Sequence, residues 1–314
     1  MTRFAALALA ATLVSPVAAS AQSADFGPLI SAEALETART DLKPLVIDIR
    51  ADGDDGYAGG HVPGAVNAPY GLFRGPAENP GALVPEDKLQ EVLRQIGVTK
   101  DRPTVIVHQG SDVTDFGAAA RVYWTLKSSG VSQLAILNGG LNGWKEAGLT
   151  VDTTAATPTP SEIEVSFSEQ WLATTDDVRA IVDGSAEATL VDARPEGFWN
   201  GEQAHPAAAK PGTLPQSQYF THSNWFGDKP VIVDAAAAQQ LAKDAGLSDS
   251  DTIVSFCNTG HWAATNWFAM SELAGLDNVK LYPDSMVGWS NAGHEMANVP
   301  GPIRSMWNQI KAIF

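Results

Sequence analysis

TIVSFCNTGHWAATNW, residues 252–267, has the order of a strand, a loop and a helix. Most of its first five residues are apolar or β-branched, which is typical of a buried strand. Cys257 follows the strand, and Gly260 permits a tight loop before an alanine- and tryptophan-bearing helical stretch. That stretch ends at Gly275, and glycine commonly ends a helix. The alternation of strands and helices predicts an α/β fold in which helices cover both faces of a parallel sheet.

The chain contains this pattern twice. Three pairs of segments match in one order: PLVIDIR (44–50) with TLVDAR (189–194), TVIVHQG (104–110) with TIVSFCN (252–258), and QLAILNGGLNGW (133–144) with VKLYPDSMVGW (279–289). Their landmarks Asp48 and Asp192, Gln109 and Cys257, and Trp144 and Trp289 lie 144, 148 and 145 residues apart. Nearly constant offsets predict two copies of one α/β unit. We expect an N-terminal domain over 22–151, a linker over 152–164 and a C-terminal domain over 165–314.

The two copies differ where a ligand would bind. Ligands of parallel sheets bind at the carboxyl ends of strands, and Gln109 and Cys257 are both expected there. The first copy therefore presents an amide and the second a thiol, which fits duplication followed by loss of chemistry in the first copy. The alternative is that neither copy does chemistry and that Cys257 is a buried, structural residue.

The net charge disfavours nucleic acid as a partner, and the first residues of the chain indicate a compartment. The chain has 314 residues, one cysteine and a formal net charge of −16, and so acidic a surface repels nucleic acid. Residues 1–21 have the features of a signal peptide, because Arg3 precedes an apolar stretch and Ala19-Ser20-Ala21 fits the cleavage rule. We expect a periplasmic or secreted protein with no membrane segment after cleavage; an uncleaved N-terminal anchor is the alternative. A lone cysteine in an oxidising compartment indicates a reactive thiol or an intermolecular partner.

The loop after Cys257 has the features of an anion site. A short connection between a strand end and a helix can turn several main-chain N–H groups toward one point, and such a point favours negative charge. The anion there would be the Cys257 thiolate or a sulfur carried on it, and reactivity follows the thiolate. No second cysteine accompanies it, and His261 alone makes a poor zinc site, so we predict neither metal nor cofactor.

These residues resemble those of tandem-domain rhodanese-like sulfurtransferases, the family of thiosulfate and 3-mercaptopyruvate sulfurtransferases. The marks are GHVPGAVN (60–67), the two Asp-x-Arg strand ends, Cys-x-x-Gly in the second copy and LNGGLNGW (137–144) closing the first. The resemblance implies two rhodanese-like domains, of which the second is catalytic and the first inactive. It implies that Cys257 takes a sulfane sulfur from a small anionic donor and becomes a persulfide. The persulfide would then pass its sulfur to cyanide, a small thiol or a thioredoxin-like acceptor, and a monomer suffices for this.

The resemblance also implies roles for individual residues around the cysteine. The persulfide would lie among the main-chain amides of Asn258, Thr259, Gly260, His261 and Trp262. Arg194 would bind the donor anion, or would pair with an acidic neighbour and hold a loop. His61 would face the site from the first domain, or would only order its own turn.

Three further expectations concern side chains. His261 would supply positive charge to the thiolate or relay a proton, unless it points to solvent. Trp262 would form an apolar wall of the pocket. Trp144 and Trp289 would be packing residues, and Asp48 and Asp192 would bind turn amides after their strands.

The departures from the family bear on the substrate. Thiosulfate-type members often carry basic residues where this chain has Asn258 and Thr259, and the second arginine of Asp-x-Arg-x-x-Gly-Arg is replaced by Phe198. The mercaptopyruvate-type loop, Gly-Ser-Gly-Val-Thr, is broken at His261 and Trp262. We therefore predict a thiosulfate sulfurtransferase, with a 3-mercaptopyruvate sulfurtransferase or a non-catalytic binding protein as alternatives. Phosphatase or arsenate reductase chemistry is disfavoured, because residue 263 is alanine rather than arginine.

Overall fold

The computed structural model describes residues 26–248 and 250–301, and the predicted signal peptide over 1–21 lies outside them. Two parallel sheets, of five and four strands, form the cores of two α/β units. The predicted fold class is confirmed. Among the described residues, no helix is both long and apolar enough to cross a bilayer.

The first sheet has the strand order β1-β5-β4-β2-β3, with every neighbouring pair parallel. Its strands are β1 Leu29–Ile30, β2 Leu45–Asp48, β3 Val66–Asn67, β4 Thr104–Val107 and β5 Leu134–Leu137. Its helices are α1 Ala32–Asp41, α2 Glu86–Gln95, α3 Phe116–Ser128 and α4 Gly140–Glu146, with a 3₁₀ turn over Tyr70–Phe73.

The second sheet has the order β7-β6-β8-β9 and is also parallel throughout. Its strands are β6 Thr189–Asp192, β7 Gln218–Tyr219, β8 Ile253–Phe256 and β9 Val279–Leu281. Its helices are α5 Thr175–Val182, α6 Glu196–Trp199, α7 Ala235–Asp244, α8 Trp262–Phe268 and α9 Ser285–Asn291, with a 3₁₀ turn over His222–Trp225.

Strand residues alternate between two apolar layers, as helices on both faces require. In the first sheet, Ile47 and Ile106 face a central core, whereas Val46 and Val105 face an outer core beneath α1 and α4. The central core is continuous between the domains, since the Phe116 ring of α3 lies 5.5 Å from that of Phe268 in α8. The two helices that follow the loops after β4 and β8 therefore pack against each other at the domain interface.

The helix predicted to run to Gly275 is regular only as far as Phe268. A π-helical segment, Ala269–Leu273, follows it, and Ala274 N–H donates to the Ala269 carbonyl at 2.8 Å. Glu272 in this wider turn accepts hydrogen bonds across the interface from Tyr123 Oη (2.8 Å) and Lys127 Nζ (2.7 Å). Sequence spacing alone does not distinguish a π segment from an α-helix, because a single inserted residue sets it.

The register of the repeat differs by one residue from the sequence prediction. Asp48 pairs with Val107, and Asp192 pairs with Phe256, so His108 and not Gln109 is the counterpart of Cys257. Two further bonds agree, because Leu141 N–H donates to the His108 carbonyl and Met286 N–H to that of Cys257. The error came from aligning Thr104 with Thr252, whereas the strand of the second copy begins one residue later. The predicted packing residues Trp144 and Trp289 are buried in the outer cores of their domains.

Candidate active site

Cys257 lies directly after β8, at the carboxyl end of the second sheet, and is 1% exposed. Its main-chain N–H and carbonyl both bind residues at the start of α9. The Cys257 N–H donates to Ser285 Oγ at 3.0 Å, and its carbonyl accepts from Met286 N at 3.0 Å. Ser285 is buried with a positive φ of 50°, and its hydroxyl donates to the Tyr282 carbonyl. The backbone under the sulfur is therefore fixed by α9 rather than by the loop that follows.

The loop after Cys257 offers main-chain donors that have no acceptor. Within the described part of the chain, no oxygen accepts a hydrogen bond from the N–H groups of residues 258–262. Gly260, with φ of +67°, supplies the left-handed backbone that lets the loop turn into α8. Buried N–H groups are nearly always satisfied in proteins, so this set indicates a site for an anion that arrives from outside.

The first domain shows what such a loop binds when it contains its own anion. Asp115 Oδ2 accepts hydrogen bonds from Gly110 N (2.6 Å), Ser111 N (3.3 Å) and His108 Nδ1 (2.9 Å). Burial raises the pKa of Asp115, but these hydrogen bonds outweigh it and hold the pKa below its usual value. By the structural register, Gly110 and Ser111 correspond to Thr259 and Gly260. The second copy therefore retains the donors at these positions and lacks the carboxylate.

Arg194 has the contacts of a structural residue, which favours the predicted loop-holding role over binding of the donor anion. Its guanidinium makes a bidentate contact with Asp192, donates to the Gly212 carbonyl at 2.9 Å and is 2% exposed. Its remaining nitrogen, Nη1, donates to Asn258 Oδ1 at 3.2 Å. Arg194 thus holds the side chain next to Cys257, which is the loop-holding alternative from the sequence. Arg50 makes the equivalent contacts in the first domain.

The ring of His261 contacts the first domain at both of its nitrogens. Its Nε2 lies 2.8 Å from the Thr114 carbonyl and therefore donates, while Nδ1 accepts from Tyr70 Oη at 3.0 Å. Burial of the ring and the nearby Arg74 guanidinium lower the pKa of His261 to about 4. The lowered pKa favours an uncharged ring over the predicted source of positive charge, and both ring nitrogens contact the first domain rather than pointing only to solvent. The main-chain N–H of His261 remains one of the free donors of the loop.

The contacts of His61 lie within the first domain and the start of the linker, which favours the alternative that it only orders its own turn. It is fully buried in the first domain, where its ring stacks on Tyr57 at 3.8 Å. Both of its nitrogens contact main-chain oxygens, Nδ1 that of Tyr57 and Nε2 that of Thr154. Its main chain pairs with Asp152, so His61 anchors the start of the linker and orders its own turn.

Trp262 packs against two aromatic rings of its own domain. Its ring stacks on His222 with centroids 5.1 Å apart and an interplanar angle of 9°, and it meets the Phe198 ring edge-on at 5.8 Å. Phe198 occupies the position of the missing second arginine, so the side chain there is apolar. Burial lowers the pKa of His222, which favours the uncharged ring.

The first domain supplies three residues that the sequence analysis missed. Tyr70 contacts His261, Arg74 donates to the Thr259 carbonyl at 3.0 Å, and Arg121 donates to the Gly260 carbonyl at 3.4 Å. Arg121 carried a signal in the sequence, because it is a lone arginine inside the apolar run FGAAARVYW. Arg74 carried none, since it follows a short turn with no regular pattern.

A cavity of about 600 Å³ lies elsewhere. It opens at the C-terminal end of α3, where Lys100, Ser128 and Trp171 line it, and Cys257 does not. The described residues contain no cluster of histidine, cysteine and carboxylate side chains suited to a metal ion. Cys257 is buried, and none of residues 257–262 lines this cavity.

Comparison with known proteins finds one family. A family model described as "Rhodanese-like domain" matches residues 31–147 and 174–292. "Putative thiosulfate sulfurtransferase SseB" of Mycobacterium tuberculosis is 25% identical over 257 residues, which cover 78% of this chain and 87% of that protein. "3-mercaptopyruvate sulfurtransferase" of Escherichia coli is 26% identical over 236 residues, covering 74% and 81%.

Solved structures match the fold. A structure of EanB in complex with ergothioneine has a TM-score of 0.76 and 19% sequence identity, and the match covers 87% of this chain and 71% of that one. At that identity the similarity concerns the architecture alone.

Proposed function

Because the chain belongs to the rhodanese-like family, we propose that it is a sulfurtransferase that carries a sulfane sulfur on Cys257. The observation that supports this most is the contrast between the two loops. In the first loop, main-chain N–H groups donate hydrogen bonds to the Asp115 carboxylate. In the second loop, the main-chain N–H groups are free and lie beside the only thiol in the chain. A persulfide on Cys257 is an anion that meets these donors.

The reaction proceeds in two displacements. The Cys257 thiolate attacks the outer sulfur of thiosulfate, a new S–S bond forms, and the S–S bond of thiosulfate breaks as sulfite leaves with the electron pair. An acceptor such as cyanide then attacks the outer sulfur of the persulfide. The thiolate leaves with the electron pair, and thiocyanate is released. No electrons enter or leave the protein, so the chemistry needs no cofactor.

Burial of the sulfur favours thiosulfate as the donor. Cys257 is 1% exposed, and the bulky apolar ring of Trp262 in the same loop packs on that of Phe198. Thiosulfate is compact, and sulfite is a stable leaving group. 3-Mercaptopyruvate is the alternative donor: it is also small and anionic, and the E. coli relative is named for it.

Mass spectrometry of the intact protein tests the proposal. After incubation with thiosulfate and removal of excess reagent, the wild type gains the mass of one sulfur atom, and cyanide removes it with release of thiocyanate. Cys257→Ser gains nothing under the same conditions. If the wild type gains no sulfur from thiosulfate or from 3-mercaptopyruvate, the chain is a binding protein with a rhodanese-like fold.

A further inference from the structure

Arg74 of the first domain is fixed beside the cysteine loop of the second. Its Nη1 donates to Tyr70 Oη at 2.9 Å and to the Thr259 carbonyl at 3.0 Å, and the guanidinium lies 5.1 Å from the centre of the Tyr70 ring. Thr259 lies two residues after Cys257 in the same loop. A cation is therefore held near the sulfur by groups that carry no negative charge.

The other edge of this guanidinium is available. Within the described part of the chain, Nε and Nη2 of Arg74 have no hydrogen-bond acceptor, and the residue is partly exposed. These two nitrogens are the parallel donors with which arginine binds two oxygens of one oxyanion. Arg50 and Arg194 use the same two nitrogens on Asp48 and Asp192.

Arg121 places a second cation behind the loop. It is 1% exposed, and it donates only to main-chain oxygens, those of Gly81 at 3.0 Å and Gly260 at 3.4 Å, while its Nε has no partner. Burial and the Arg74 guanidinium lower its pKa to about 10, so it stays charged at neutral pH.

The groups around the two arginines leave their charge largely uncompensated. No carboxylate among the described residues lies within 4.0 Å of either guanidinium. Asp284, an acidic residue whose charge acts on Arg121, accepts a hydrogen bond from Asn79 at 2.7 Å. The lowered pKa of His261 favours its uncharged ring, and burial together with Arg74 lowers the pKa of His205 as well. In a chain with a net charge of −16, this is a local site for a small anion.

We propose that Arg74, with the buried Arg121 behind it, binds the oxyanion group of the sulfur donor and turns the sulfane sulfur toward Cys257. The donor-binding cation then comes from the first domain and not from Arg194 of the second. This inference rests on the proposed sulfurtransferase function. It names the donor class, a small oxyanion whose charged group can occupy the free edge of a guanidinium.

A pair of alkylating reagents tests the binding step without sulfur transfer. Iodoacetate and iodoacetamide react with the same thiolate, but only iodoacetate carries an oxyanion, so the ratio of their rates reports the cation near Cys257. In Arg74→Gln we expect this ratio to fall by at least about tenfold, the effect of one charge-assisted contact. Arg74→Lys keeps the charge and retains most of the ratio. Arg179→Gln, which removes an equal charge from an exposed site, leaves the ratio unchanged.

Steady-state rates with thiosulfate test the donor. Arg74→Gln raises KM for thiosulfate about tenfold or more with a smaller change in kcat, and Arg74→Lys recovers only part of it because lysine lacks the paired donors. An Arg74→Gln variant in which both alkylation rates change by the same factor overturns the proposal, because Arg74 then acts on the loop and not on the anion.

Salt provides a measurement on the wild type, should the variants fail to fold. Added potassium chloride slows iodoacetate but not iodoacetamide if the cation guides the anion, and equal slopes contradict the proposal. If salt slows the iodoacetate reaction of the wild type and not the iodoacetamide reaction, but the wild type transfers no sulfur, the proposed function is refuted and the anion site is retained.

Discussion

The Tyr70 hydroxyl donates to His261 Nδ1 over 3.0 Å, and this bond connects the first domain to the cysteine loop of the second. Tyr70 has a counterpart in the second domain. Tyr70 N–H donates to the Ile49 carbonyl and His222 N–H to the Ala193 carbonyl, each at the start of a 3₁₀ turn. His222 stacks on Trp262, so equivalent residues of the two domains hold adjacent residues of one loop. The first domain is thus a structural part of the site, although its own loop carries no thiol.

The hydrogen bonds of His261 predict a pH dependence of stability. Its pKa is about 4 in the folded protein and about 6.5 when unfolded, so the unfolded state binds more protons between these values. The wild type therefore loses stability as pH falls from about 6.5 toward 4, by an amount on the order of 2 kcal/mol. Urea unfolding of the wild type and His261→Gln at pH 4.5 and pH 7.5 measures this. The loss should be smaller in the variant, which retains a side-chain N–H for the Thr114 carbonyl, and equal losses contradict the assignment.

Gly260 is predicted to be intolerant of any side chain. Its φ is +67°, and a Cβ there would collide with Arg121 Nη1 and the Pro283 backbone. Gly260→Ala is expected to cost more than the roughly 1–2 kcal/mol of the left-handed backbone alone, and to reduce alkylation of Cys257 by displacing the loop.

Gly275→Ala is the matched control for this substitution. Its φ is +71°, and a Cβ would meet no atom within 4 Å, so only the backbone cost of about 1–2 kcal/mol is expected. Denaturant unfolding and the iodoacetamide rate of both variants make the comparison. Equal effects on both measurements would show that Arg121 yields to the added methyl group.

The fold was predictable because local patterns specify it, whereas the site was only partly predictable. Buried strands, glycine-ended helices and a repeated order are each visible within short segments, and Cys257 follows from its place at a strand end. Arg74 and Arg121 reach the cysteine loop from the other domain. A single sequence does not show which surfaces of two domains are in contact. The one-residue error at Gln109 has a similar origin, since strand register depends on pairing between distant segments.

His61 and Arg194 illustrate the remaining limit. A histidine in a turn and an arginine at a strand end could each bind a ligand. The nitrogens of His61, however, already contact main-chain oxygens, and the Arg194 guanidinium already pairs with Asp192. Whether a polar group is free or satisfied depends on its partners in three dimensions, which the sequence does not give.

Arg50 and Arg194 form a second matched pair. Each makes a bidentate contact with a buried aspartate, so Arg50→Met and Arg194→Met should each destabilise the protein by about 3–5 kcal/mol by leaving that charge unpaired. Only Arg194→Met also releases Asn258, so it alone should change the pH–rate profile of Cys257 alkylation. Unfolding and alkylation of both variants are the measurements. A profile altered to the same extent in Arg50→Met would mean that stability, and not the loop contact, governs the thiol.

Asp115 tests whether loops of this type bind anions. At neutral pH its carboxylate accepts hydrogen bonds from two loop amides and from His108 through one oxygen, and Asp115→Asn keeps an oxygen there but loses the negative charge. We expect a loss of about 2 kcal/mol at pH 7, typical of hydrogen bonds to a charged group. Because the folded pKa of Asp115 is lowered, the stabilisation is present above the unfolded value and disappears as pH falls through the folded one. The difference between wild type and variant in urea unfolding should therefore be largest near neutral pH and shrink in acid. A variant as stable as the wild type at pH 7 would mean that the loop amides gain nothing from a negative charge, and the same donors could then hardly stabilise a persulfide on Cys257.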